Sequence, residues 1–361
     1  MRGSVSRDVE PRSENSVGAP RAVMSSRATP RAFAHGRSML YLADCFAWLA
    51  QQPPCSVHAV VTDPPYGLAE YSPAEQVKLR ARRGGVWRIP PVLDGVERSP
   101  LPRFTVLTTG DLDSLDRFFC EWGRALLPVL VPGANVVVAS HPLVSFIVSS
   151  ALARAGLERR GELARLVMTM RGGDRPKSAH VEFADVSVMP RSMWEPWLIF
   201  RKRLDGRAQD NLRRWKTGGF RRPSPAQPFG DVIRSAPTRA RERRLAPHPS
   251  LKPQRFLRAL VRGVLPLAEG VVLDPFAGSG STLAAAEAVG YASVGVERDA
   301  RYFALARAAI PKLAALEDLA PEVALAPEAK PARGMRPSAG RQRGSDRPGR
   351  RGRGNRARAI Q

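Results

Sequence analysis

Short apolar runs alternate with segments of helical spacing through the middle of the chain. The apolar runs predict strands at residues 39–43, 57–62, 134–139, 163–170, 197–200, 271–273 and 292–296. The segments with helical spacing predict helices at residues 45–52, 112–130, 142–155, 253–265, 282–289 and 301–310. Near-continuous apolar strands are typical of a parallel sheet that helices cover on both faces. We therefore predict an α/β doubly wound fold, in which ligands bind at the carboxyl ends of the strands.

The two ends of the chain differ in composition from its middle. Residues 1–37 are rich in Arg, Ser, Pro and Ala without a period, and residues 327–361 are rich in Arg, Gly and Pro. Neither segment can bury enough apolar area to offset its chain entropy, so both are predicted to be disordered. Between them we distinguish a first half at 38–200, a basic segment at 201–247 and a second half at 248–326.

The net charge of +24 is concentrated in three segments. Residues 1–38 contribute +4, residues 201–247 contribute +10 and residues 327–361 contribute +9, so the remaining chain is nearly neutral. Such a body with basic appendages points to a polyanionic partner, because each cation placed on a phosphate releases counterions. The alternative is that the basic tails only keep the protein in solution.

The three cysteines, Cys45, Cys55 and Cys120, have no short paired spacing and no histidine cluster beside them. We therefore expect neither a disulfide framework nor a metal site, and the reducing cytoplasm is the expected compartment. The first residues do not form the apolar core of a signal peptide. The most apolar stretch, residues 126–152, is interrupted by prolines and polar residues and is not expected to span a membrane.

Acidic residues follow four of the predicted strands. They are Asp44, Asp63, Asp274 and Glu297. A carboxylate at such a position can simply cap the next helix, which is a structural role. Because the carboxyl ends of parallel strands meet at one side of a sheet, four acidic residues in this pattern favour a shared cleft.

The segment after the strand at 271–273 has the composition of a ligand-binding turn. It reads Asp274-Pro275-Phe276-Ala277-Gly278-Ser279-Gly280-Ser281-Thr282. Its glycines let the backbone pass close to a ligand ahead of a helix N-terminus, and Glu297 is spaced as an acid that reaches ribose hydroxyls. A nicotinamide cofactor would fit this geometry too, but an acid before the glycines suits a ligand with a positive amino group better than a pyrophosphate. We therefore predict S-adenosyl-L-methionine as the cofactor.

The segment after the strand at 57–62 suits chemistry at an amino group. It reads Asp63-Pro64-Pro65-Tyr66-Gly67. The exocyclic amine of a nucleobase is a poor nucleophile because its lone pair is delocalised into the ring. The carboxylate of Asp63 and the carbonyl of Pro64 can accept hydrogen bonds from that amine in a loop that the prolines hold rigid, and Tyr66 can stack on an extruded base. The alternative is that this segment is only a rigid surface turn without a catalytic role. The two segments together, however, predict methyl transfer to an amino group.

The order of these segments resembles that of the β-group of bacterial and phage DNA amino-methyltransferases. The features that carry the resemblance are Asp63 to Tyr66, a basic variable region, His248-Pro249-Ser250-Leu251-Lys252-Pro253 and the turn from Asp274 to Thr282. The resemblance extends over roughly residues 38–312. It implies a permuted S-adenosylmethionine-dependent methyltransferase fold, Rossmann-like, with a mostly parallel seven-stranded sheet whose cofactor half is encoded last.

The resemblance also assigns roles to individual residues. It implies that Asp274, Phe276, Gly278 and Gly280 line the methionine end of the cofactor and that Glu297 binds its ribose. Asp44 would lie near the cofactor adenine, and Ser250 with Lys252 near its carboxylate. Ser250 is also a candidate cap of the predicted helix at 253–265.

By the same resemblance, residues 201–247 form the target-recognition region. The candidate DNA contacts are Arg213, Arg214, Trp215, Lys216, Arg221, Arg222, Arg243 and Arg244. Cations and an aromatic side chain around two glycines suit phosphates and base edges, although an exposed basic loop without sequence readout is the alternative. The stretch 68–105 is a candidate mobile loop that closes over DNA.

The predicted activity is methyl transfer to the exocyclic amine of a flipped DNA base. In the family that the chain resembles, Asp at position 63 goes more often with adenine, so N6 of adenine is the prediction and N4 of cytosine the nearer alternative. An RNA base methyltransferase and a non-catalytic nucleic-acid-binding protein on the same scaffold stay open. The resemblance also allows a homodimer and a cognate restriction endonuclease as partners.

Overall fold

The computed structural model describes residues 31–65, 109–171, 176, 179–188, 190, 192–248 and 250–317. Several predictions concern residues outside these ranges. They are the stacking role of Tyr66, the mobile loop at 68–105, most of the N-terminal segment and the tail at 327–361.

Nine strands and eight helices make up the described part of the chain. The strands are β1 (Ala32–His35), β2 (Ser38–Leu42), β3 (Val57–Thr62), β4 (Leu130–Ala139), β5 (Glu158–Arg171), β6 (Ser192–Arg201), β7 (Val232–Arg234), β8 (Val271–Asp274) and β9 (Ala292–Glu297). The helices are α1 (Cys45–Leu49), α2 (Thr109–Leu126), α3 (Ser145–Arg154), α4 (Ala208–Trp215), α5 (Ala240–Leu245), α6 (Gln254–Val264), α7 (Ser281–Ala288) and α8 (Ala300–Ala314).

The strands form one sheet in the order β1-β2-β9-β8-β3-β4-β6-β5-β7. The five strands β2, β9, β8, β3 and β4 are parallel to their neighbours in this run. Strand β6 is antiparallel to both β4 and β5, β7 is parallel to β5, and β1 is antiparallel to β2. We call the side of the sheet where the five parallel strands end its carboxyl end, and the side where they begin its amino end.

This architecture confirms the predicted class, an α/β fold with a mostly parallel sheet. Strands β8 and β9, which are encoded last, lie between β2 and β3, so the spatial order is permuted relative to the chain. The described sheet has nine strands where seven were implied, because β1 and β7 extend its two margins. Strand β1 also corrects the N-terminal boundary: residues 32–35 were predicted to be disordered, but they pair with β2.

Two hydrophobic clusters cover the two faces of the sheet. Successive residues of a strand point to opposite faces, and β4 follows this rule. Val136 packs with Trp122 of α2 in one cluster, whereas Val137 packs with Trp197 and Phe256 in the other. Burial of each large side chain contributes about 1.5–3 kcal/mol, so the sheet is fixed firmly from both sides.

Two helix boundaries differ from the predictions. Helix α2 ends at Leu126 because Leu130 already begins β4. Helix α6 begins at Gln254 without a cap from Ser250, because the N–H of Gln254 donates instead to Oε1 of the buried Glu242 at 2.7 Å. The predicted Ser250 cap is therefore wrong. Within the described ranges, no helix has both the length and the apolar character that crossing a bilayer requires.

Candidate active site at the carboxyl end of the sheet

The two chemistry-bearing segments meet where β3 and β8 end side by side. These strands are parallel, with Val60 opposite Leu273. At their ends, Thr62 Oγ1 donates to Asp274 Oδ1 at 2.7 Å across 212 positions of sequence. Asp63 directly follows Thr62, so the structure brings both acidic residues to the carboxyl end of the sheet.

Asp274 is a buried carboxyl group at the floor of this site, only 4% exposed. Its Oδ1 also accepts from the backbone N–H of Phe276 at 3.2 Å. Burial raises the pKa of Asp274 to about 6, against hydrogen bonds from Thr62, Thr282 and the Phe276 backbone that lower it. A cationic group of a ligand beside Asp274 would favour the ionised form and relieve this cost.

The turn after Asp274 requires glycine for two reasons at position 280. Gly280 has a φ of +77°, in the left-handed region, and precedes the first residue of α7. A Cβ there would lie 2.5 Å from Cγ1 of Ile310 on α8. The turn therefore has little side-chain bulk at this position, and the N-terminus of α7 lies at the carboxyl end of the sheet, next to the end of β8.

Glu297 connects this turn to the loop after β9. Its Oε2 accepts from the N–H of Gly278 at 2.8 Å, and its Oε1 accepts from the N–H of Asp299 at 2.7 Å. Burial raises the pKa of this carboxyl above its usual range. Each oxygen has a further lone pair, so Glu297 can hold the turn and still accept from a sugar hydroxyl.

The remaining residues of the turn are positioned by packing and hydrogen bonds. Pro275 is buried, and the ring of Phe276 packs on Phe118 and Trp122 with centroids 6.0 and 5.6 Å away. Oγ of Ser279 lies 3.2 Å from Oγ of Ser281. The contacts of Phe276 attach the turn to the hydrophobic cluster that contains Trp122 of α2.

Asp63 forms an ion pair with Lys252, whose ammonium donates to Asp63 Oδ2. The same Nζ lies 3.5 Å from Oε1 of Glu195 on β6. The other oxygen of Glu195 accepts from Arg165 Nη1 at 2.7 Å. Four groups of alternating charge thus lead from Asp63 into the interior.

The interior end of this charge chain is well held. Arg165 is only 2% exposed, its Nε donates to Ser235 Oγ at 3.0 Å, and its guanidinium lies 5.1 Å from the ring centre of Phe256. Neither Arg165 nor Glu195 was among the residues predicted from the sequence. The sequence feature that could have identified them is an ionisable residue inside an apolar strand, such as Glu195 in the run from Met193 to Phe200.

The segment around His248 folds over the turn after β8. The rings of His248 and Tyr302 have centroids 4.5 Å apart, and a Cβ on Gly278 would lie 3.2 Å from His248 Nε2. Burial lowers the pKa of His248 to about 4, so the ring is neutral at physiological pH. The His248 ring therefore closes one side of the site without adding charge.

Three residues assigned by the resemblance have other partners in the structure. Asp44 lies near Glu297, whose carbonyl accepts from Ala43 N–H at 3.0 Å, but its carboxylate caps α1 through Phe46 N–H and Ala47 N–H at 3.0 and 3.1 Å. Ser250 is exposed, and its N–H donates to His248 Nδ1 at 3.1 Å. Lys252 lies at the site but pairs with Asp63.

The Asp63 loop is described only in its first three residues. Asp63 is partly buried, Pro64 is buried and Pro65 is exposed. The carbonyl of the buried Pro64 belongs to the residue that directly follows Asp63 in the chain. Both predicted acceptors therefore follow the end of β3.

The basic segment does not lie at one place. The side chain of Asn211 in α4 donates to Pro132 O at 3.0 Å, and Gly133 N–H donates to Lys202 O at 3.0 Å, both where β4 begins. Arg221 N–H donates to Gly263 O at the end of α6, and Arg221 Nη1 donates to Tyr291 Oη, each at 2.8 Å. The residues that these contacts place at the amino end of the sheet are Arg213, Arg214, Trp215, Lys216, Arg221 and Arg222.

Residues 213–222 of the predicted target-recognition region therefore lie at the amino end of the sheet, opposite the end that bears Asp63. The chain returns to the carboxyl end through β7, which is parallel to β5. Arg243 and Arg244 follow on α5, where Glu242 is bonded to the first turn of α6. Only these two of the eight candidate DNA contacts lie on the side of Asp63. Among the described residues, no group of His, Cys, Asp and Glu is arranged to hold a metal ion.

Residues 182–308 match the model of a family described as DNA methylase. The match includes Lys252, Asp274 and Glu297, whereas Asp63 lies outside it. The solved structure of TTHA0409 from Thermus thermophilus, complexed with S-adenosyl-L-methionine, is 22% identical over 77% of this chain and 95% of that chain, with a TM-score of 0.43. The M1.HpyAVI-SAM complex is 16% identical over 75% of this chain and 97% of that chain, with a TM-score of 0.44. The cytosine-N4-specific PvuII DNA methyltransferase is 14% identical over 78% and 87%, with a TM-score of 0.48.

Proposed function

We propose that this chain is a member of the DNA methylase family whose model matches residues 182–308, and that it moves a methyl group from S-adenosyl-L-methionine to the exocyclic amine of a flipped DNA base. The observation that carries the proposal is the hydrogen bond from Thr62 to Asp274. It joins the strand that ends in the predicted amine acceptor to the strand that ends in the predicted cofactor turn. Donor and acceptor of the methyl group would therefore be aligned by neighbouring strands.

The residues of the turn fit the proposed cofactor. Asp274 offers a buried carboxylate whose ionised form a positive amino group would stabilise. Gly278 and Gly280 adopt positive φ angles and so give the turn its tight conformation ahead of α7, and Glu297 can accept from the ribose of the cofactor. When bound, the cofactor supplies a methyl sulfonium, an electrophile that needs alignment more than activation. Well-oriented reactants gain roughly 7–11 kcal/mol of barrier from such positioning.

The residues after β3 fit an amine. The carboxylate of Asp63 and the carbonyl of Pro64 would each accept one hydrogen of the amine, which localises the lone pair on nitrogen toward the methyl group. The nitrogen would then form the new bond to the methyl carbon of the cofactor while the bond from that carbon to sulfur breaks, and the electron pair of the broken bond would stay on sulfur. The amine loses one proton, which Asp63 or solvent accepts.

We propose adenine N6 as the target amine and cytosine N4 as the alternative. Both bases present an amine with two hydrogens to the same pair of acceptors, so the preference rests on Asp at position 63 in the motif that the chain resembles. Arg243 and Arg244 on α5 would contact the backbone of the DNA beside the site.

Transfer of label from radiolabelled cofactor to unmethylated genomic DNA tests the proposal. We expect label in DNA with the wild-type protein and its loss with Asp63→Ala. Asp116→Ala is the matched control, because it also removes a carboxylate but breaks only an exposed ion pair with Arg154. Equal label with wild type and Asp63→Ala would contradict the catalytic role.

Analysis of the labelled nucleosides then separates the alternatives. N6-methyladenine is the expected product, and N4-methylcytosine would identify the other base. A parallel incubation with RNA addresses the substrate, since label in RNA alone would overturn the assignment to DNA.

A further inference from the structure

A second basic surface lies at the amino end of the sheet, away from the site. It is formed by residues 201–222, which carry nine Lys/Arg and two Asp. We call it the amino-end surface. Its helix, α4, follows a loop that leaves β6 at Arg201 and lies against the start of β4.

Buried polar side chains hold this surface in one conformation. Asn211 is fully buried, and its amide donates to Pro132 O at 3.0 Å and to Thr217 O at 2.8 Å. The equally buried Thr217 donates to Pro132 O at 2.6 Å. Asn135 of β4 donates to Gly219 O at 2.7 Å. A basic loop that served only for solubility would not need these anchors.

Two cations of this surface, on the last turn of α4, point to solvent. The side chains of Arg213 and Arg214 are 76% and 69% exposed, and each pairs with a single exposed aspartate, Asp210 or Asp205. Such exposed ion pairs are weak and readily exchanged for a phosphate. The guanidinium of Arg214 also lies 5.1 Å from the ring centre of Trp215, which restricts its orientation.

The sheet separates this surface from the site. Leu130 at the start of β4 is opposite Val57, and Val138 near its end is opposite Thr62. At about 3.3 Å per residue, the five steps from Val57 to Thr62 span roughly 17 Å. The two surfaces face opposite ways, so one short straight duplex cannot contact both.

We propose that the amino-end surface binds the phosphate backbone of a second stretch of duplex DNA without reading its sequence. The array contains fixed cations, which suit a regular polyanion. The choice of DNA rests on the proposed function, whereas the binding itself requires no methyl transfer. A chain with two such surfaces would hold one segment of DNA while it modifies another.

The test removes two cations with Arg213→Gln and Arg214→Gln in one variant. The matched control, Arg307→Gln with Lys312→Gln, removes two exposed cations of α8. Duplexes of about 20 base pairs are far shorter than the persistence length of about 150 base pairs and stay straight. Without cofactor, we expect wild type and control to bind a second short duplex that the R213Q/R214Q variant does not bind.

Longer DNA gives an independent readout. On DNA of about 500 base pairs, more than three persistence lengths, we expect the R213Q/R214Q variant to reduce the salt slope of log K by about 2. Its kcat/KM for methylation of a short duplex should equal that of wild type. Asp210→Asn, which removes an acid from the same surface, should strengthen binding of long DNA and verifies that charge is responsible.

Other outcomes would overturn the inference. If wild type binds a single short duplex, no second DNA-binding surface exists. Equal losses of DNA affinity in the R213Q/R214Q variant and in the control would also contradict the inference. Binding of duplex RNA but not DNA by this surface would assign it to another polymer. A protein that binds two duplexes but methylates neither would contradict the proposed function and leave this inference intact.

Discussion

Lys252 donates a hydrogen bond to Asp63 although 189 positions of sequence separate them. The resemblance implies that Lys252 lies near the carboxylate of the cofactor, which stays a prediction, and in the structure its ammonium lies between Asp63 and Glu195. An ammonium shared by two carboxylates can shift from one to the other with little movement. The ion pairs around the amine acceptor therefore join residues from three distant parts of the chain.

Replacement of this lysine tests its part in the reaction. Lys252→Met leaves Asp63 and Glu195 without their shared cation, so the amine acceptor loses its fixed orientation. We expect kcat/KM for DNA methylation to fall by about 100-fold, as for one removed polar contact at a reacting centre. Lys202→Met, assayed on a short duplex, is the control, since its ammonium donates to the carbonyl of Leu130 at the amino end of the sheet. Unchanged kinetics in Lys252→Met would show that the pair is incidental.

The buried pair of Arg165 and Glu195 is expected to matter most for stability. Arg165→Met would leave the carboxylate of Glu195 buried and should lower the free energy of unfolding by about 3–5 kcal/mol. The double variant with Glu195→Leu removes both charges and should lose less than Arg165→Met alone. Urea denaturation of the wild type, both single variants and the double variant measures this cycle. Strictly additive losses would contradict a coupled pair.

The stability of the protein should depend on the protonation of Asp274. Folding raises the pKa of this carboxyl from 3.8 to about 6, so the native state binds the proton more tightly than the unfolded chain. The resulting stabilisation is complete below pH 3.8 and is lost as the pH rises to about 6, a loss of about 3 kcal/mol. Asp274→Asn should abolish this slope and unfold at higher urea than wild type near neutral pH. A wild-type slope retained in the variant would assign it to another group.

Binding of the cofactor should show the opposite dependence on pH. A positive amino group binds the ionised form of Asp274, so affinity for S-adenosyl-L-methionine should rise as the pH increases through about 6 and then level off. Calorimetric titration at several pH values measures this rise. Asp274→Asn should bind weakly at every pH, and a variant with the wild-type profile would exclude Asp274 from the site.

Two glycines with similar backbone angles separate strain from steric conflict. Gly280 and Gly290 have φ values of +77° and +79°, but only a Cβ at Gly280 meets a neighbour, Ile310 at 2.5 Å. Gly290→Ala should cost about 1–2 kcal/mol for its left-handed backbone alone. Gly280→Ala should cost more and also abolish cofactor binding. Thermal unfolding and cofactor titration of both variants check this, and equal costs would exclude a role for Ile310.

The sequence predicted the elements that bear the site because each strand end is marked locally. An apolar run followed by an acidic residue identified the ends of β3 and β8, and the parallel arrangement brought them together. A marker of the same kind precedes α1 at Asp44, where its role near the cofactor stays a prediction. Its carboxylate caps α1, and no local pattern distinguishes a capping aspartate from one that contacts a ligand.

Features that depend on distant partners could not be predicted. Strand β1 is four residues long and forms because β2 offers a free margin of the sheet. Residues 201–247 carry a net charge of +10, and composition does not indicate that the chain passes from one end of the sheet to the other at β7. The partners of Lys252 likewise come from strands that are remote in sequence.

The pairing of β3 with β8 also fixes the separation of the two ends of the proposed active site. Val60 stands opposite Leu273, and this alignment fixes how far Asp63 extends relative to Asp274. A slip of one residue would turn the side chain of Asp63 to the other face of the sheet. In the proposed reaction, the distance between the base amine and the cofactor would therefore depend on the backbone register of β3 and β8. A change in that distance would require an insertion or a bulge in a central strand, because an exchange of side chains does not alter the register.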